Sequence, residues 1–361
     1  MSHALPRILV SAALLGACSS DREPQASATN ADSGITNAAT DGDATAADDG
    51  IDDDGGDKLD VNGGADDGNA EVGDQGCKKV DFLFVVDSSG SMQDEQQNLA
   101  NSFPGFIDII EQETMVDDFH IMAVDTDAAG FAECAILCGL LPDCNGIPCD
   151  QIPPETACDG TLGAGKTTNP AGQDCGIAGG RRYIVEGQAD LSTTFSCAAQ
   201  VGTMGSGDEM AIEAMTAAIG EQLNGAGQCN EGFLRDDAIL VMTMITDESN
   251  LAYGMDADNE TPSPGTPDGW YEQLVARKAG NAAAIVALGL IGDNDQPDGI
   301  CGELDLNTST GAEPAPDLRA FVQMFGDNGV VGSVCEQDYA PFFSSAVSVI
   351  QSACDDFEPP G

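Results

Sequence analysis

The sequence predicts an α/β protein: a doubly wound, mostly parallel sheet flanked by helices, carrying a disulfide-rich insertion. Three observations predict it. Nearly continuous apolar runs of strand length recur at Val80–Val86, Phe119–Val124, Ala238–Thr246, Ala283–Ile291 and Val330–Val334, as expected of parallel strands covered on both faces. Segments with helical apolar spacing lie between them, and strands alternating with helices give this class of sheet. Cysteines crowd a Gly- and Pro-rich stretch that fits neither period.

The first segment is not part of that domain. His3 and Arg7 precede the apolar run Ile8–Ala17, which is too short to span a bilayer and reads as a signal-peptide core. It ends Leu15-Gly16-Ala17-Cys18, which resembles the bacterial lipobox. That resemblance implies residues 1–18 as a signal, Cys18 as a lipidated mature N-terminus, and anchoring to a membrane of the bacterial envelope. Ser19 at the next position, by resemblance to enterobacterial lipoproteins, favours the outer membrane or cell surface. The alternative is an ordinary signal peptide. Residues 19–76 follow as a tether of small and acidic residues, with 16 acidic against 2 basic. Such a segment repels itself and lacks the apolar surface to fold.

The domain is expected over 77–356, leaving 357–361 as a tail. After the first strand, Leu99, Phe103, Phe106, Ile107 and Ile110 share one helical face, with a kink expected at Pro104. Ile212, Met215, Ile219 and Leu223 form a second stripe, in a helix expected to start near Asp208. Leu318, Phe321, Val322 and Phe325 form a third, and Phe342, Phe343, Val347 and Ile350 a fourth. Insertions are expected at about 130–200 and 293–316, both after strand ends, the sheet edge where open α/β folds bind ligands.

The charge of −50 argues against nucleic acid and anionic lipid surfaces, which need a basic footprint. Of thirteen cysteines, assigning Cys18 to lipid leaves an even number for disulfides in an exported chain. Pairing is not readable from sequence, but Cys77 with Cys354 would tie the domain ends, and Cys301 with Cys335 would bridge the later insertion.

Asp87-Ser88-Ser89-Gly90-Ser91 ends the first strand. One carboxylate and two hydroxyls there offer hard oxygens to a divalent cation. A shell with few carboxylates leaves residual positive charge, available to an outside anionic oxygen. With Thr246-Asp247 after the third apolar run, this pattern resembles the von Willebrand factor type A family and its metal-ion-dependent adhesion site. The resemblance covers about 77–354, excluding the insertions. It implies Asp87, Ser89, Ser91 and Asp247 as ligands, with a threonine from a third loop. Thr203 is the choice there; strict spacing to the helix would fall on Met204, and Ser206 remains an alternative. Glu248 stands where the family has glycine and adds a carboxylate. The C-terminal stretch from Gly332 to Cys354 is also similar to cysteine-rich type A domains of myxobacterial surface lipoproteins. The implied cofactor is magnesium first, with manganese or calcium as alternatives, and the implied partner is a protein presenting a carboxylate.

Other patterns fare worse. Gly160–Thr167 matches the P-loop string, but a buried strand must precede it and a helix must start at its Lys-Thr. Pro153-Pro154 and Asn169-Pro170 deny both, so no nucleotide is expected. Cys134, Cys138, Cys144 and Cys149 lack paired Cys-x2-Cys spacing, so zinc yields to disulfides. His120 is the one histidine outside the signal, and no nucleophile–base pair is available, so no enzyme is expected. The expectation is a lipid-anchored envelope binding protein that captures an acidic partner group through its cation. The alternative is a disulfide- and calcium-stabilised structural module that binds through its Cys-rich insertion.

Overall fold

A computed structural model describes residues 77–113, 116, 118–127, 138–140, 142–144, 147–151, 156–205, 209–249, 264–306 and 308–359. All of these belong to one compact unit, Gly68–Gly361. The expected signal 1–18 with Cys18, the tether 19–76, Cys134, Ser206 and Asp208 lie outside the described residues.

The central sheet has six strands. β1 is Lys79–Val86, β2 Asp118–Asp125, β5 Ile184–Val185, β6 Ile239–Ile245, β7 Ile285–Ile291 and β8 Gly329–Ser333; the short β3 (Asp143–Cys144) and β4 (Ile147–Pro148) pair separately. The order is β5-β2-β1-β6-β7-β8. Every pairing in it is parallel except the edge pair of β5 with β2. β6 and β7 are buried at every residue, which explains why their sequences lack alternation.

Side-chain alternation divides the core into two layers. Val80, Phe82, Phe84 and Val86 of β1 face one layer, and Leu83 and Val85 face the other. On the first side lie α1 (Gln93–Glu113), α2 (Leu191–Ala199) and α7 (Ala340–Asp356). Their aromatic rings close over β1: Phe84 meets Phe195 at 4.8 Å between centroids, and Phe106 meets Phe343 at 5.0 Å. On the second side lie α3 (Ala211–Ala218), α5 (Pro267–Arg277) and α6 (Pro316–Gln323), with the short α4 (Glu221–Asn224) following α3 in the chain. Helices on both faces of a parallel sheet are what the alternating sequence pattern requires.

α1 runs through Pro104. Two details depart from the sequence reading. The second apolar stripe is divided between α3 and α4, because Gly220 takes an extended conformation at φ −69°, ψ 149°. The end of the larger expected insertion is structural: β5 pairs with β2, and Phe195 of α2 is fully buried. A Cys-rich composition therefore overstated how much of 130–200 lies outside the sheet fold.

Five disulfides join described residues: Cys77–Cys354, Cys138–Cys149, Cys158–Cys229, Cys175–Cys197 and Cys301–Cys335. Cys158–Cys229 and Cys175–Cys197 flank the P-loop-like string, which forms turns and irregular backbone. Its Lys166 backbone N–H donates to Ala123 O at 2.8 Å, and its ammonium group lies 3.4 Å from Asp125. No helix of the described residues is long and apolar enough to cross a membrane.

Candidate metal centre

The β1 strand delivers Asp87 to the C-terminal edge of the sheet, between β2 and β6. The ladder continues one residue past both neighbours: Asp87 N–H donates to Ile245 O at 3.0 Å, and Thr126 N–H donates to Val86 O at 3.2 Å. Fixed backbone on both sides holds the carboxylate where α/β sheets bind ligands.

The loop after β1 folds around that carboxylate. Ser89 N–H donates to Asp87 Oδ1 at 2.6 Å, and Thr246 Oγ1 donates to Oδ2 at 2.5 Å. Ser89 Oγ lies 3.1 Å from Ser91 Oγ and donates to Asp247 Oδ1 at 3.5 Å. Asp87, Ser89, Ser91 and Asp247 are thus brought together, and all are almost wholly buried. Thr246 N–H donates to Leu290 O at 3.1 Å, while Glu313 N–H donates to Asp247 O at 2.7 Å. The loop after β6 is therefore held from β7 and from the later insertion.

Thr203 does not join that cluster. Its segment lies against the first loop, with Gly205 N–H donating to Ser88 O at 2.8 Å. Gln96 of α1 secures it further, donating from Nε2 to both Asp87 O at 2.8 Å and Gly202 O at 2.7 Å. Thr203 itself is half-buried and lines a groove with Gln93, Gln97 and Gln200. Among the described residues its hydroxyl makes no hydrogen bond to Asp87, Ser89, Ser91 or Asp247. Met204, the residue at the strict spacing, is 67% exposed.

The third loop instead supplies Glu209, which sequence reasoning missed. Its Oε2 accepts from Thr126 Oγ1 at the end of β2. Carboxylate oxygens of Asp87, Glu209 and Glu248 lie within 4.8 Å of one another, and all three residues are buried. The available signal was the acidic pair Asp208-Glu209 just ahead of a helical stripe, indistinguishable in sequence from the many acids of this chain.

Charge of one sign gathers here. Burial pushes the Asp87 carboxyl up to about 7, with the neighbouring Asp247 adding to the rise and the Thr246 hydroxyl opposing it. Burial raises Asp247 to about 6, tempered by the Ser91 and Ser89 hydroxyls. Burial and then Asp87 raise Glu209 to about 10. Asp125 is also raised by burial, and the nearby Lys166 opposes that shift. Asp247 Oδ2 and Glu209 Oε1 are buried without a hydrogen-bond partner. An ionised carboxylate buried uncompensated costs several kcal/mol, so these groups need protons or a cation. The donors are all hard oxygens, which suit magnesium, manganese or calcium. Asp87, Glu209 and Glu248 can hold a metal ion, and Ser89, Ser91 and Asp247 stand beside them.

His120, by contrast, lies in β2 with Nδ1 2.8 Å from Phe233 O and 3.6 Å from the buried Asp81. It packs beside the ion pair in which Arg235 Nε donates to Asp81 at 2.8 Å, near the N-terminal end of β2 and away from the C-terminal sheet edge.

The chain matches no protein-family model and no curated protein.

Proposed function

We propose that this chain is a lipid-anchored envelope binding protein of the von Willebrand factor type A kind. Its sheet-edge centre coordinates a divalent cation and captures an acidic group of a protein partner. One observation carries the reading. The Asp87-x-Ser89-x-Ser91 loop and Asp247, from two adjacent parallel strands, converge at the C-terminal edge around buried carboxylate oxygens that lack partners. Magnesium is the first candidate by resemblance, with manganese and calcium beside it. The lipobox-like Leu15–Cys18 and the acidic 19–76 segment support the envelope setting.

The test is a thermal-shift titration of the purified chain with magnesium, manganese and calcium. The proposal expects a rise in Tm that continues with the logarithm of cation concentration above Kd, as stability gains RT ln(1 + [L]/Kd), and that is lost in Asp87→Ala. No rise in the wild-type chain defeats it. The acidic-partner part is checked by pull-down from envelope extract: capture should vanish in EDTA and in Asp247→Ala.

A second reading is a structural module, stabilised by calcium and disulfides, that binds through its Cys-rich insertion. The carboxylates of Glu209 and Glu248 favour it, because each further anion lowers the charge left on a bound cation for an outside ligand. Capture that survives EDTA while Tm falls would select this reading.

A further inference from the structure

We propose that Glu209 is a metal ligand built into the chain at the position an open centre leaves for a partner's carboxylate. A bound cation is then enclosed by the chain's own oxygens, and calcium is taken in preference to magnesium. This rests on reading the sheet edge as a divalent-cation centre, and it selects the closed, calcium-holding form of that centre in place of magnesium and an open position for a partner.

Placement is the first argument. Thr126 at the end of β2 holds Glu209 and the residue after it: its hydroxyl donates to Glu209 Oε2, and its carbonyl accepts from Met210 N–H at 3.1 Å. Thr126 is itself fixed by its N–H to Val86 O of β1. The carboxylate is therefore positioned by the sheet as well as by its own loop.

Orientation is the second. With Oε2 engaged by Thr126, Oε1 remains buried and without a hydrogen-bond partner, in a residue 3% exposed. Glu209 presents a carboxylate oxygen within 4.8 Å of oxygens of Asp87 and Glu248. No Lys, Arg or His of the described residues pairs with Glu209; Lys166, the nearby ammonium, goes to Asp125. A carboxyl group buried beside two others, with one oxygen unpartnered, is set for a cation.

Ligand chemistry is the third. Magnesium demands a near-ideal octahedron, keeps several waters and is satisfied by one or two carboxylates, whereas calcium accepts six to eight oxygens in a flexible shell. Asp87, Glu209, Glu248 and Asp247 with the Ser89 and Ser91 hydroxyls offer more anionic oxygen than magnesium uses. An external carboxylate would have to displace Glu209 to reach the ion.

The experiment uses the full chain with its disulfides intact. Calcium and magnesium affinities are measured by calorimetry, and bound waters are counted from luminescence lifetimes of terbium, a calcium substitute, in H2O and D2O. In the wild type, calcium should bind at least about 10-fold more tightly than magnesium. Glu209→Gln should lose about 10-fold or more in calcium affinity, with a much smaller change for magnesium, and should gain about one terbium-bound water. Glu209→Asp keeps the charge with a shorter reach. It should bind with intermediate affinity and also gain water, which keeps the test open should the glutamine variant fold poorly. Unchanged calcium preference and water count in both variants would overturn the role of Glu209 while leaving a metal centre that Asp87→Ala abolishes. Absence of calcium, magnesium and terbium binding in the wild type would overturn both readings.

Discussion

Asp87 receives hydrogen bonds from Ser89 N–H and Thr246 Oγ1, yet burial and Asp247 still hold its carboxyl up at about 7. This has a measurable consequence without metal. An acid whose folded pKa exceeds its unfolded value binds more protons when folded, so stability is lost as pH rises between the two. Asp247 at about 6, Glu209 at about 10 and, across the sheet, Asp81 at about 6 through burial all act in that direction. His120, lowered by burial to about 4, opposes them, because the unfolded histidine takes its proton first as pH falls through about 6.5. Four carboxyls outweigh one imidazole, so in EDTA the Tm should fall as pH is raised from 5 to 8. Saturating calcium should reverse the slope, since a cation replaces protons and binds better as they leave. An EDTA profile that rises with pH would contradict these carboxyl assignments. The same residues show what sequence can reveal. Asp87, Ser89 and Ser91 were legible because their spacing is local and follows a buried strand. Glu209 was not, because its partners Thr126 and Asp87 lie 83 and 122 positions away in the sequence, in a chain rich in acids.

At the scale of elements, the sheet was readable because β1, β6 and β7 are almost wholly buried on both faces and their sequences are mostly apolar, with only Lys79, Asp81 and Thr243 as exceptions. The helix boundaries and α2 were less so. Leu191–Ala199 has its buried face in Phe195, Ala198 and Ala199, a stripe too short to stand out among flanking cysteines and glycines. The contact of the third loop with the first was likewise invisible, since it depends on an absent side chain. A Cβ at Gly205 would meet Ser88 Oγ and stand 2.9 Å from the Ser88 carbonyl oxygen. Gly205→Ala should therefore push the third loop off the first and weaken cation binding, with folding largely retained, because the clash lies at the sheet edge. Phe84→Ala is the opposite case. Phe84 packs edge-on to Phe103, Phe106, Phe195 and Phe343, so its truncation should cost about 3–5 kcal/mol in urea denaturation. Cation affinity of the molecules that remain folded should change little. If both variants altered affinity and stability in parallel, the centre would not be separable from the core.

The whole molecule carries −50, and among the described residues five of its cations are committed inside the fold. Arg235 pairs with Asp81 and Asp118, Lys166 with Asp125, Arg182 with Asp159 and Arg319 with Asp295. Lys278 is buried and donates to the carbonyls of Arg235 and Ala238 at 2.7 and 2.6 Å. These pairings neutralise acids such as the buried Asp81 and Asp125 but leave the acidic excess to repel itself, which destabilises a compact state. Disulfides counter this by restricting the unfolded chain, above all Cys77–Cys354 with a sequence separation of 277. Cys77→Ser with Cys354→Ser should lose about 2–5 kcal/mol. Monovalent salt acts on the repulsion itself, since the screening length shrinks from about 30 Å at 0.01 M to about 8 Å at 0.15 M. Tm should rise over that range of sodium chloride in the wild type and equally in Asp87→Ala, because screening does not depend on one residue. A low-millimolar divalent cation, added in 0.15 M sodium chloride, should raise Tm further in the wild type alone. An equal divalent response in Asp87→Ala would mean that cations act on the diffuse charge, and that the sheet-edge cluster holds none.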